Sequence, residues 1–243
     1  MKRPWLSQKH GKKLGMILVN GKDGQQVDIK EVDDKYEFNS NWLGRSGRMK
    51  CPSCGHTTEK ISISDTRDEI LAVAKLKKTK GKEFVAVGKN IIPDQEELKT
   101  IEKETLKTMK ASLPLTPLPK WSGIVNPAGY GMETYADFLN VRQRLVLVML
   151  IESLIDEYNQ LCKSKTSFEA KFIIGNLSSF IDQLVDWNCR LSMWISQNEQ
   201  VGRAFCGPGV PMLWDYVETD PVMNGPANLW KKLDRIVEGI GSI

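Results

Sequence analysis

A chain of 243 residues forms one large domain or two small ones and can bury a core of its own. With 41% hydrophobic and 26% charged residues the composition is that of an ordinary soluble protein, and five cysteines, an odd number, exclude a secreted disulfide framework and point to a reducing, cytoplasmic setting. The net charge of +4 divides unevenly: residues 1–120 hold 24 Lys and Arg against 16 Asp and Glu, whereas residues 121–243 hold 10 against 14. A basic half suits contact with a polyanion, and a solvated surface explains the same charges without one.

Residues 1–60 read as short strands and turns. Met16-Ile17-Leu18-Val19 is a compact apolar run, Asn20-Gly21 is a hairpin signal, and Gln26 to Lys30 alternates with period two, so residues 14–32 are expected to form a β-hairpin. A further strand is expected between Tyr36 and Leu43. The basic loop Gly44-Arg45-Ser46-Gly47-Arg48 then leads into Cys51-Pro52-Ser53-Cys54-Gly55. That spacing is a zinc-knuckle signature. It puts two thiolates on one tight turn, with a proline shaping the way in and a glycine letting backbone amides turn toward the sulfurs. Zinc takes four ligands in a tetrahedron, so one such pair is half a site. His56 adjoins Cys54 too closely, His10 is isolated, and Cys162, Cys189 and Cys206 lie far along the chain. A redox pair is the alternative, but it needs a βαβ context that the pattern lacks, and two bare cysteines are the other.

Beyond the knuckle, Lys60 to Ala74 reads as a strand and a short helix, Lys75 to Lys82 as a lysine-rich turn and Glu83 to Val87 as a strand. Pro93-Asp94-Gln95-Glu96-Glu97 is the acidic start of a helix running to about Lys110. Pro114, Pro117, Pro119 and Pro127 mark residues 113–128 as a linker. The expected fold class is α+β: a β-rich, basic, knuckle-containing region over 1–112, the linker, and a helical region over 129–243.

The helical region opens on the turn Gly129-Tyr130-Gly131. A helix is predicted over 134–162, and its apolar run Leu145 to Ile151 is too short for a membrane span of roughly 20 residues, implying instead a helix buried on most sides and no membrane partner. A second helix is predicted over 167–197, with Ile173, Ile174, Leu177, Phe180, Ile181 and Leu184 near helical spacing, packed antiparallel on the first. The amphipathic stretch Leu229 to Ile240 follows.

Several segments, in order, carry a resemblance. They are Pro4-Trp5-Leu6-Ser7 with the lysine-rich residues after it; Gly129-Tyr130-Gly131-Met132, then Tyr135 to Leu139 and Arg142-Gln143; Asp186-Trp187-Asn188-Cys189-Arg190-Leu191 through Trp194; and Pro211-Met212-Leu213-Trp214-Asp215-Tyr216-Val217-Glu218. Over nearly the whole chain these resemble the central part of the large zinc-ribbon-containing adenine-specific DNA methylases. Members of that family read close to Y-G-M-x-x-F-x-D-L-F-x-x-R-Q-L, D-x-N-S-x-L-x-x-W and L-P-M-x-W-D-F-A-E. The resemblance implies a small zinc-ribbon-like half followed by a helical half, together an insertion in, or the central part of, a Rossmann-type methyltransferase. It implies zinc at Cys51 and Cys54 as a half-site. With DNA as partner, Lys12, Lys13, Arg45, Arg48 and Lys50 beside the ribbon become candidate phosphate contacts; a ribbon that only stabilises an insertion is the alternative.

The chemistry of that family needs a glycine-rich loop for S-adenosylmethionine and a D/N-P-P-Y/F motif that holds the flipped adenine. Neither is present. Asp220-Pro221-Val222-Met223 lacks the second proline and the aromatic, and Asn126-Pro127-Ala128-Gly129-Tyr130 lacks the second proline. No Ser-His-Asp set, phosphate loop or HExxH motif stands in their place. The resemblance therefore implies no catalytic and no cofactor-binding residue in this chain. S-adenosylmethionine belongs to the complete enzyme, and flanking catalytic segments or a partner methyltransferase subunit supply its site. A reading from a different class is a stand-alone, non-enzymatic zinc-knuckle protein that binds nucleic acid or acts as a scaffold.

Overall fold

The computed structural model describes residues 4–9, 11–21, 24–33, 36, 42–43, 47–51, 54–87, 94–120, 123–223 and 228–242. The described strands are β1 (Trp5–Lys9), β2 (Lys12–Gly21), β3 (Gly24–Val32), β4 (Trp42–Leu43), β5 (Arg48–Met49), β6 (Ala72–Leu76), β7 (Lys82–Ala86), β8 (Met193–Ile195) and β9 (Gln200–Gly202). The described helices are α1 (Gln95–Thr108), α2 (Val141–Ser164), α3 (Ser167–Trp187) and α4 (Leu229–Gly241). The fold is mixed α+β. Small antiparallel sheets occupy the N-terminal half, as the meander β1-β2-β3 and the pairs β4-β5 and β6-β7, and helices dominate the C-terminal half with one further pair, β8-β9.

The expected hairpin is present, but its turn lies two residues further on. The β2–β3 register runs from Lys13↔Val32 to Gly21↔Gly24, so Asn20 and Gly21 are paired strand residues and not the turn. Strand β1 was not singled out from the sequence; it pairs with the start of β2, and its Leu6 is buried with Met16. Of the strand expected between Tyr36 and Leu43, residues 37–41 lie outside the described residues, and Trp42–Leu43 form β4. In place of a strand and a short helix, Lys60 to Ala74 forms a one-turn 3-10 segment at Ile63–Asp65 and the start of β6.

Local chemistry explains the helix ends. The Asp94 carboxylate accepts the Glu96 amide, and Glu96 and Glu97 complement the positive end of α1. The first long helix begins later than predicted. Thr134 and Asp137 make their own capping box on the one-turn segment Tyr135–Phe138, and Asn140 and Gln143 then cap α2 reciprocally at 2.9 Å each way. The second helix ends at Trp187 and not at 197. Asn188 leaves helical geometry, and Trp194 sits on a strand because β8 pairs with β9.

Helices α2 and α3, joined by two residues, pack as a hairpin, with α1 against α2 and α4 against α3. The apolar run Leu145 to Ile151 is buried or half-buried at every residue but one. Leu147 and Val148 are buried, but Met149 is 55% exposed, because α1 and α3 leave one stripe of α2 uncovered. The core gathers at the root of the helical hairpin, where Met132, Phe138, Leu147, Leu184, Leu191 and Leu229 meet. Leu118, from the proline-rich stretch, is part of it; its amide donates to the Glu133 carbonyl at 2.7 Å. No helix of the described residues is long and apolar enough to cross a membrane.

The two halves interlock through β1 and the β8–β9 hairpin. The Gln8 amide donates to the Ser196 carbonyl at 3.0 Å, and the Trp194 indole donates to the Leu6 carbonyl at 2.6 Å. Glu199 closes the contact: its carboxylate accepts the Ser7 hydroxyl at 2.6 Å and the Lys9 ammonium at 3.4 Å, and its carbonyl accepts the Lys82 ammonium. Its backbone has φ +50, the left-handed region that a non-glycine residue adopts at a penalty and keeps only where its surroundings hold it.

Burial pushes the Glu199 carboxyl upward, but the Ser7 hydrogen bond and the Lys9 charge outweigh it, and the group sits below its ordinary value. A depressed carboxyl contributes stability that is present above its unfolded value of about 4.3 and is lost as pH falls through the folded value. Between about pH 7 and about pH 3 the wild type should therefore lose more stability than Glu199→Gln, read from urea midpoints. Parallel pH profiles for the two proteins would refute this.

Candidate functional site

The knuckle is a short antiparallel hairpin. Strand β5 leads to the bridge Lys50↔Thr57, and the Cys51 amide donates to the His56 carbonyl at 2.7 Å. The Gly55 amide returns to the Cys51 carbonyl at 2.9 Å, and Gly55 has φ +73, which turns the chain back at little strain only because it lacks a Cβ. Cys51 is half-buried and Cys54 exposed at this tip; Pro52 and Ser53 lie outside the described residues. Among the described residues no group of three or more His, Cys, Asp or Glu side chains comes together to hold a metal ion. Among the described residues, to which His10 does not belong, the pair stays short of the four ligands a structural zinc needs.

Of the predicted phosphate contacts, Arg48 and Lys50 stand on this hairpin. Arg48 lies 3.9 Å from Glu59 with both side chains exposed, so the pair is screened and weak. Lys50 is exposed. Lys12 and Lys13 stand elsewhere, at the start of β2, where the Lys13 ammonium lies 5.5 Å from the centre of the Trp5 ring. Arg45 and the side chain of Lys12 lie outside the described residues. The four described cations thus stand apart, Lys12 and Lys13 on β2 and Arg48 and Lys50 on the knuckle hairpin.

The knuckle hairpin rests on the glycine turn of the helical half. The Lys60 ammonium donates to the Gly129 carbonyl at 2.8 Å and covers the Tyr130 ring, and the Ser62 hydroxyl donates to the Tyr130 carbonyl at 3.1 Å. Gly131 is needed here: it has φ +91, and a Cβ on it would stand 2.3 Å from the Ser62 hydroxyl oxygen. Tyr130 in turn meets Trp214 edge-on, ring centres 5.6 Å apart.

Between the hairpin and the segment 211–218 lies a cleft of about 170 Å³, lined by Met49, Arg67, Asp68, Arg190, Trp214 and Tyr216 among others. Its floor is a network of paired charges and amides. Arg190 donates to Asp68 at 2.9 Å. The Asn140 amide donates to the Tyr216 hydroxyl at 3.0 Å and to Glu218 at 2.8 Å, and Arg142 donates to Glu218 at 2.9 Å. Behind it, the Asn188 oxygen accepts the Gln143 amide at 3.2 Å and the Thr219 backbone amide at 2.9 Å. Arg142-Gln143, Asp186 to Trp194 and Pro211 to Glu218, three segments singled out in the sequence, thus share one polar network with Asp68, which was not foreseen.

The electrostatics of this network favour holding over proton transfer. Burial pushes the Tyr216 phenol well above its ordinary range, with the Asp68 charge adding to it, so the ring keeps its proton at neutral pH. The Glu218 hydrogen bond strengthens the charge on Arg142 against burial. Burial also pushes the Cys189 thiol upward, which leaves that fully buried sulfur unreactive. Arg67, exposed at the cleft mouth, was missed by a reading that looked for cations only beside the cysteines; its signal was its place next to Asp68, visible only once Asp68 is paired with Arg190. Compared with family models, with curated proteins and with solved structures, the chain matches none.

Proposed function

We propose that this chain is the central portion of an S-adenosylmethionine-dependent adenine-specific DNA methyltransferase, non-catalytic by itself, which contributes DNA contact and scaffold to a Rossmann-type catalytic core. The observation that carries the reading is the convergence of three family-like segments, far apart in sequence, on the single network around Asn140, Asn188 and Glu218. Segments brought together in this way behave as parts of one device. The knuckle hairpin above the cleft supplies Arg48 and Lys50 for phosphates. Cys51 and Cys54 give half of a zinc-ribbon site whose remaining ligands come from flanking segments or a partner methyltransferase subunit. Scaffold packing is supported by apolar side chains left uncovered along the helical hairpin, Met149, Phe168 and Phe172, with Phe168 78% exposed.

The test combines three measurements on the purified chain. S-adenosylmethionine titrated by calorimetry should give no saturable heat, and zinc content should fall short of one ion per chain. Duplex DNA should bind with an affinity that falls with salt, and the Arg48→Ala/Lys50→Ala variant should lower the salt slope by about two. Saturable cofactor binding would sink the non-catalytic assignment, and no duplex binding would sink the DNA contact. The interlock of β1 with the β8–β9 hairpin favours the second reading, a self-contained zinc-knuckle protein. The two part on the neighbouring reading frames: a glycine-rich cofactor loop encoded just upstream with a D-P-P-Y motif just downstream favours the first, and independent expression between stop codons favours the second.

A further inference from the structure

The β6–β7 hairpin carries Lys75, Lys77, Lys78, Lys80 and Lys82 within eight residues of sequence. Its strands pair from Ala72↔Ala86 to Leu76↔Lys82. The loop closes where the Lys77 amide donates to the Gly81 carbonyl at 3.1 Å, with Gly81 at φ +100. Every residue from Lys75 to Gly81 is exposed. The ammonium groups of Lys75, Lys77, Lys78 and Lys80 make no ion pair or hydrogen bond among the described residues; Glu83, across from Lys75 in the register, is the acid nearest to them on the hairpin.

The hairpin is anchored at its loop end, for Lys82 is the last paired residue before the loop. The Lys82 ammonium donates to the Glu199 carbonyl and lies 5.8 Å from the centre of the Trp194 ring, and Phe84 meets the same ring edge-on at 5.8 Å. A strand held right beside the loop, with unpaired ammonium groups in the loop itself, makes a fixed, charged finger. Lysines on edge strands also guard against sheet-to-sheet pairing, and that accounts for Lys75. It does not account for Lys77, Lys78 and Lys80, which lie in the loop, where no strand edge needs guarding.

We propose that the β6–β7 hairpin is a phosphate-gripping finger for duplex DNA. The proposal rests on the DNA-contact part of the reading above and adds a contact that does not involve the knuckle. A polyanion is the ligand that unpaired ammonium groups recognise, since each phosphate they neutralise releases a condensed counterion. Duplex DNA is favoured because it presents about one phosphate charge per 1.7 Å of helix axis, a dense row for a loop that sets three lysines within the stretch Lys77 to Lys80. The grip is on phosphates, which carry no base identity, so it is independent of sequence.

The test is fluorescence anisotropy of a labelled duplex at several salt concentrations, with the wild type, the Lys77→Ala/Lys78→Ala/Lys80→Ala variant and the Arg48→Ala/Lys50→Ala variant. The loop variant should melt as the wild type does, bind at least about tenfold more weakly at ~0.1 M salt and lose about three from the salt slope. An unchanged slope in the loop variant, with binding lost in the knuckle variant, would overturn the finger and leave the DNA-contact reading standing. Loss in the loop variant alone would uphold the finger and move the contact away from the knuckle. Absence of duplex binding by the wild type would overturn both, and so would binding to phosphatidylserine vesicles without binding to the duplex.

Discussion

Asn188→Leu should lower the melting temperature by about 6 to 12 °C, the equivalent of about 3 kcal/mol for a chain of this size. The side chain is 4% exposed, and its oxygen accepts from both Gln143 and the Thr219 backbone. Leucine has a similar volume and accepts nothing. It leaves the buried Gln143 amide and the half-buried Thr219 amide without their acceptor, and each stranded donor costs about 1 to 3 kcal/mol. Gln143 is itself 2% exposed and also caps α2 through Asn140, so it cannot turn to solvent without giving up that cap. The loss should therefore couple to Gln143: the double variant Gln143→Leu/Asn188→Leu should fall short of the sum of its parts, because the second change removes a donor that the first had orphaned. Additive losses, or a melting temperature that does not move, would show that Asn188 is not the hub of the network.

A comparable loss, about 2 to 5 kcal/mol, is expected for Leu191→Ala. Leu191 is fully buried in the core with Phe138, Leu184 and Leu229. Its neighbours in sequence are pinned on both sides. The Arg190 amide donates to the Phe138 carbonyl at 2.7 Å, and the Ser192 carbonyl accepts the Val217 amide at 2.9 Å. The chain cannot collapse into the vacated space without breaking one of these bonds, so the cavity persists and the loss should lie high in the range. Leu191→Met keeps the volume and should lose less than about 1.5 kcal/mol. Equal losses for the two variants, in urea unfolding, would show that shape and not cavity volume sets the stability there.

Much of the fold was legible where signals are local. Asp94 with Glu96 and Glu97 announces α1, and the amphipathic period after Asn228 announces α4. An apolar run marks β2 and alternation marks β3, although Gly21 pairs with Gly24 and the turn lies past Asn20-Gly21. What escaped was decided at long range. Apolar spacing continues past Trp187 through Leu191 to Trp194, and it reads as more helix. Those side chains are covered for other reasons: Leu191 faces the core from a turn, and Trp194 faces β1 from a strand. Asn188, which stops the helix, takes its reason from Gln143 and Thr219. The candidate site divides in the same way. Cations near Cys51 and Cys54 could be read off directly, but the cleft beside them is made by Asp68 and Arg190, 122 residues apart.

The contact between β1 and the β8–β9 hairpin has a consequence for how the chain is made. Ser7 and Glu199 are 192 residues apart, and Leu6 and Trp194 are 188 apart. On a ribosome adding about 5 to 20 residues per second, β1 emerges roughly 10 to 40 s before its partner exists. The meander can form in that interval, yet the outer edge of β1 waits with the Gln8 amide unanswered until Ser196 arrives. Closing this contact thus waits on the whole intervening stretch of chain, 188 residues from Leu6 to Trp194. Loop closure grows only with the logarithm of length, so lengthening an intervening loop by a few residues would change the rate of that step little.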